Sequence, residues 1–179
     1  MKKIVWTFGL ISGAVVSLLM IATVPFRHQI GLDNAEILGY ATMVAAFLFI
    51  FFGVRAYREN VAGGSVKFGR AFAVGALIAL ISSVCYTATW EVVYFKFMPD
   101  FMDDYSATVL QQAKAKGATP AELDTRAAEL KKYGEMYKNP AINVAMTMLE
   151  PLPVGLIVAL VSAGILSRKR RIADLTPTA

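Results

Sequence analysis

Four long apolar blocks, residues 4–26, 35–54, 71–95 and 141–166, alternate along the chain with more polar connections. Each approaches or exceeds the roughly 20 residues that a helix needs to cross about 30 Å of hydrocarbon. The pattern predicts an all-α protein, a four-helix transmembrane bundle. The connection between the third and fourth blocks is long, and its own periodicity predicts a helical hairpin. Thr119, Pro120 and Glu122 carry a side-chain cap, a proline at the first helical position and a glutamate three residues after the cap, which together mark a helix start. Leu123, Ala127, Leu130, Gly134 and Tyr137 then recur at alternating steps of four and three, lining one face. Met98, Met102, Tyr105 and Val109 keep the same period before it, and Gly117 is placed to end that first helix. The chain thus divides into residues 1–96 with spans one to three, residues 97–139 with the hairpin, and residues 140–179 with span four and a basic tail.

Shorter features refine the packing. Gly63 and Gly64 suit a tight turn, with the third helix starting over residues 65–70, so spans two and three should pack antiparallel. Gly9 and Gly13 make a G-x-x-x-G spacing, with Ser17 further along the same face. Such residues let backbones approach closely in lipid, and a seam inside the bundle is favoured over a dimer interface. The first block follows Met1, Lys2 and Lys3 as a signal peptide would, but it exceeds the usual apolar core of such a segment and lacks a clean small-x-small cleavage site, so it reads as a retained helix.

Composition agrees with the membrane reading: 56% of residues are hydrophobic, 17% are charged, and the mean hydropathy is +0.53. The formal net charge is +5, yet the basic residues gather at the ends of apolar blocks instead of interleaving with aromatics on one face, which excludes a nucleic-acid partner. Lys2 and Lys3, then Arg55, Arg58, Lys67 and Arg70, then Arg168, Lys169, Arg170 and Arg171 fall at alternate ends of the spans. The positive-inside rule puts both termini and the second connection in the cytoplasm of a bacterial inner membrane, with Arg55, Arg58 and Arg70 as a candidate basic face there. The hairpin then lies outside; from residue 97 to 139 it carries seven acidic against six basic side chains, a net charge of −1.

Ionisable groups inside apolar blocks cost about 2.5–3.5 kcal/mol each on insertion scales, so they are the first candidates for function. Glu36, Glu91 and Glu150 qualify. At ~1.5 Å per residue, Glu36 lies about 28 Å from Arg55, Glu91 about 31 Å from Arg70 and Glu150 about 24 Å from Leu166, all toward the outer side. With His28, the single histidine, they form a candidate polar pocket. Ordinary roles compete: Asp33 and Glu36 have the spacing of a capping box, and Glu91 sits in the aromatic boundary of Trp90, Tyr94 and Phe95. Glu150 is harder to dismiss. It precedes Pro151 and Pro153, which withhold N–H donors and should bend or break the last helix beside it. A carboxylate beside freed carbonyls suits a cation or a proton, while a buried glutamate paired with a tyrosine, threonine or histidine is the alternative. Cys85, the single cysteine, reads as a structural thiol. No metal-ligand spacing, nucleophile elbow, P-loop or dinucleotide fingerprint is present, so nothing argues for an enzyme, a cofactor or a metal.

The residues Glu36 to Tyr40, Phe52 to Arg58, Phe68 to Phe72 with Gly75, Trp90 with Glu91, and Asn139 with Pro140 through Thr147 to Leu156 resemble an uncharacterised bacterial membrane family catalogued as domain of unknown function 4199. The resemblance covers nearly the whole chain and implies a four-helix membrane protein with a variable helical insert before the last span. It implies no activity. It also places Glu36, Arg55, Arg58, Glu91 and Glu150 on motif positions. The leading expectation is a structural or assembly component with an acidic outward-facing pocket, whose partners are the lipid bilayer and another membrane protein or a second copy. The alternative is an ion- or proton-coupled transporter or channel subunit using Glu150.

Overall fold

The computed structural model describes residues 1–26 and 30–168, the side chains of Leu32, Asp33 and Ala35 excepted. His28 and the tail residues Lys169, Arg170 and Arg171 lie outside the described residues. Among those described, the chain is helical and has no strand. The elements are α1 (Lys2–Thr23) with a 3-10 turn (Val24–Phe26), α2 (Leu32–Asn60), α3 (Phe68–Phe97), α4 (Phe101–Ala115), α5 (Pro120–Tyr137), α6 (Pro140–Met148) and α7 (Pro151–Leu166). Among the described residues, four helical stretches are long and apolar enough to cross a membrane: Lys2–Phe26, Glu36–Asn60, Phe68–Phe97 and Pro140–Leu166.

The helices are apolar outward as well as inward. Leu18 on α1 and Ile157 on α7 are 66% and 62% exposed. In water such a surface would aggregate; against lipid tails it costs nothing, and the bundle must be held by packing instead of by the hydrophobic effect. Close backbone approach does this. α3 is the central helix, packed on α1, α2 and α7, while α2 also touches α1 and α7. Gly9 and Gly13 form a seam inside the bundle: a Cβ on Gly13 would lie 2.6 Å from Cys85 Cβ, and one on Gly9 would lie 2.8 Å from Ile81 Cβ. A second seam pairs Gly75 with Ala159 and Gly155 with Ala79, each four residues apart on α3 and α7. Serines lock the crossings. Ser12 Oγ donates to the Ala46 carbonyl at 3.0 Å, and Ser82 Oγ donates to the carbonyls of Ile78 and Gly9 at 2.9 and 3.2 Å.

Boundaries differ from the sequence expectation where local backbone decides them. α2 starts at Leu32 with Gly31 as its cap at φ 76°, so Asp33 falls inside the first turn and does not hold the capping position that its spacing with Glu36 predicts. α3, by contrast, starts at Phe68, inside the expected 65–70 stretch, after Gly63 and Gly64 both take positive φ in the turn. The final span breaks where the prolines require it. α6 ends at Met148, the amides of Leu149 and Glu150 bond back three residues to Met146 and Thr147, and α7 resumes at Pro151. Pro151 and Pro153 cannot donate to the preceding turn, so the ladder tightens and restarts.

α4 and α5 pack side by side as a hairpin. Gly117, at φ 88°, ends α4, and the Ala118 amide bonds the Ala113 carbonyl at 3.0 Å in a Schellman arrangement. Leu123, Ala127, Leu130, Gly134 and Tyr137 are all half-buried, as their periodicity predicts. Tyr105 departs from the α4 stripe and is exposed. The capping box is complete: Glu122 Oε2 accepts from Thr119 N at 2.8 Å, while Thr119 Oγ1 accepts from Glu122 N at 3.4 Å. The Thr119 backbone amide first, and then the Thr119 hydroxyl, which donates to the same Oε2 at 2.9 Å, hold the Glu122 carboxyl below its ordinary range. Its stabilisation is therefore present above the ordinary glutamate pKa and is lost as pH falls through the lowered one. Glu122→Ala should speed amide exchange at the start of α5 at neutral pH, and the gap to wild type should shrink once acid protonates Glu122 in the wild type. A gap independent of pH would mean that the carboxylate has no part in the cap.

Candidate functional site

The end of the bundle that bears the hairpin holds a cavity of about 310 Å³. Every part of the chain that reaches this end supplies a wall. Val16 and Met20 come from α1, Leu38, Thr42 and Met43 from the start of α2, and Tyr86 and Trp90 from the second half of α3. Met98 and Phe101 enter from the α3–α4 junction, Tyr137 from the end of α5, and Thr147 and Glu150 from either side of the proline break. Three methionines and four aromatic rings make the lining mostly apolar, and Glu150 is the one carboxylate among the described residues that line it.

The break positions Glu150. Its backbone lies between α6 and α7, which lets the side chain leave the helix axis toward α3, where Tyr86 Oη donates to Oε2 at 3.2 Å. Tyr86 is buried, whereas Glu150 keeps accessible surface. A carboxylate offers about four lone-pair sites, and one tyrosine leaves most of them free. The floor is anchored by a second polar group. Asn143 is 0% exposed; its Nδ2 donates to the Tyr137 carbonyl at 3.2 Å and its Oδ1 accepts from Thr147 Oγ1 at 3.0 Å. Asn139 caps the same helix through the Ala141 amide at 3.0 Å, with Pro140 at its first position. These bonds tie the hairpin's last residue to the wall that carries Glu150.

An aromatic cluster seats the hairpin on the bundle. Phe101 meets Trp90 edge to face at 5.1 Å between centroids, and Tyr94 meets Tyr137 at 5.5 Å in the same manner. Such pairs contribute roughly 0.5–1.5 kcal/mol beyond their buried area. The Trp90 and Tyr94 positions, read in the sequence as an interfacial belt, thus also hold the cap in place.

Of the candidate pocket residues, the structure brings Glu150 to the cavity. Glu36 is exposed on α2, one turn from the lining. Glu91 is half-buried and absent from the described lining; its Oε1 is buried without a hydrogen-bond partner among the described residues. The candidate basic face lies at the opposite end. Arg55 Nε and Arg58 Nη2 both reach Glu59 Oε1, at 3.0 and 3.3 Å, and Arg70 is exposed at the start of α3. Tyr86, Asn143 and Thr42 are polar residues of the site without an individual signal in the sequence. Neutral hydrogen-bonding side chains are ordinary in apolar helices, and only the fold shows which of them meet.

Four apolar helices of membrane length, packed through small-residue seams around a cavity at one end, define a multi-pass helical membrane protein. Residues 7–168 match the family described as Protein of unknown function (DUF4199), and the chain belongs to that family. No curated protein and no solved structure matches it.

Proposed function

We propose that the protein is a non-enzymatic interaction component of the bacterial cytoplasmic membrane that acts by binding at an acidic, outward-facing pocket. Both termini are cytoplasmic in this reading, and the hairpin covers the outer end. The observation that carries it is the cavity itself: all four spans and the hairpin junction contribute walls, and a carboxylate with spare acceptor capacity is held there by Tyr86. Beyond the cavity the core is filled by Phe47, Ile50, Val54, Ile78, Ala159 and Ala163, all 0% exposed, which favours retention of a ligand over its passage through the bundle. The charge pattern of the spans supports the orientation.

Two cysteines placed in a Cys85→Ser background test the two halves of the reading. Lys116 is exposed at the hairpin tip and Leu38 lines the cavity with 36% exposure. Lys116→Cys should react with an impermeant thiol reagent in intact spheroplasts; reaction only after lysis would reverse the orientation. Leu38→Cys should be modified several-fold faster by a cationic methanethiosulfonate than by an anionic one, and Glu150→Gln should abolish the preference. Equal rates in the presence of Glu150 would sink the acidic pocket.

A further inference from the structure

The lining goes further than acidity, because it specifies a kind of cation. A small inorganic cation is held by several converging oxygens, and for calcium by six to eight of them. Among the described residues, this cavity brings one carboxylate and scattered hydroxyls into a space walled by methionine, leucine and aromatic side chains. Its volume of about 310 Å³ sits at the lower end of small-molecule sites, far larger than a bare ion requires. An anion meets the wrong charge at Glu150, and a wholly neutral apolar molecule leaves the Glu150–Tyr86 pair without a purpose.

Resting on the binding reading above, we infer that the cavity receives a monovalent organic cation: an ammonium group attached to an aromatic or branched apolar body. The ammonium lies beside Glu150 and against the faces of Tyr86, Trp90 and Tyr137, whose ring quadrupoles attract a desolvated cation within about 6 Å of their centroids. The apolar body fills the space between Met20, Met43 and Met98, side chains that adapt their shape to irregular ligands. Glu150 serves as counter-ion and Tyr86 orients it, so no covalent step is involved.

The test uses the full chain in lipid nanodiscs. Trp6 lies at the other end of α1, 57% exposed, so Trp6→Phe leaves Trp90 in the cavity wall as the single tryptophan, excited selectively at the red edge of the absorption band. Benzyltrimethylammonium should change Trp90 fluorescence saturably, with benzenesulfonate and tetramethylammonium binding at least tenfold more weakly. Glu150→Gln should weaken the benzylic cation at least tenfold. Because that variant could lose structure at the helix break, Leu38→Arg provides a second arm, placing a positive charge in the wall from an exposed position; it too should cost tenfold or more. Wild-type affinity in both variants, equal binding of the sulfonate, or competition by sodium at the same concentration as the benzylic cation would each overturn the inference. If the charge preference at Leu38→Cys holds while benzyltrimethylammonium fails to bind, the acidic pocket stands and the organic-cation assignment falls.

Discussion

Gly155→Leu is expected to prevent the bundle from closing. A Cβ at this position would sit 2.8 Å from Ala79 Cβ and 3.4 Å from Phe47 Cε2. Ala79 and Phe47 are 0% exposed, so neither can move aside without parting helices. Overpacking of a tight core costs about 1–3 kcal/mol, and a leucine forced between α3 and α7 belongs at the upper end or above it. The readout is thermal unfolding in detergent, followed by tertiary contact signals and by size-exclusion behaviour. Strain at a specific contact can be told from a general intolerance of α7 by a double-mutant cycle. Gly155→Ala should destabilise and Ala79→Gly should relieve it, since the two changes exchange one methyl group across the same seam. Additive effects, or a Gly155→Leu protein as stable as wild type, would show that α7 does not lie against α3 in this register.

Asn143→Ala is expected to free the hairpin from the bundle. This side chain joins Tyr137 and Thr147, and its removal takes away the partner of the Tyr137 carbonyl and one partner of the Thr147 hydroxyl. A buried polar group left unpaired costs about 1–3 kcal/mol. Losing the volume of a fully buried side chain adds to that cost. Limited proteolysis at the α5–α6 junction should accelerate, while the spans remain folded. Asn139→Ala supplies the comparison. It removes only a helix cap at the same junction, worth typically ~1 kcal/mol, and should have the smaller effect. Unchanged proteolysis in Asn143→Ala would show that the aromatic contacts alone hold the hairpin.

The hairpin shows how much local signal can carry. Its capping box, its glycine terminator and its half-buried stripe all occur at the residues that spacing picks out, because capping and helical period act within a few residues of chain. Tyr105, on the same period, is nonetheless exposed on α4, so the period alone does not decide what is covered there. The proline break behaves like the hairpin: Pro151 and Pro153 lack donors in any environment, so the interruption beside Glu150 is legible without knowing its neighbours.

The carboxylates mark the other limit. A helical rise of ~1.5 Å per residue converts sequence position into depth, so Glu36, Glu91 and Glu150 could be ranked along the membrane normal. Depth is not direction. Successive residues on a helix turn by about 100°, and Trp90 lines the cavity while Glu91, one residue on, is absent from its described lining. Helix rotation is set by the glycine seams, which are contacts between residues such as Gly155 and Ala79 that stand 76 positions apart.

By itself, then, the sequence determined the number and extent of the spans, the hairpin, its cap and the break in the last helix, because each depends on hydropathy or backbone chemistry within a short stretch. The tertiary structure decided that Tyr86 meets Glu150, that Asn143 ties the hairpin to the bundle, and that a cavity opens between them. Those outcomes depend on how the helices rotate and cross, and close packing between distant residues is what sets rotation and crossing.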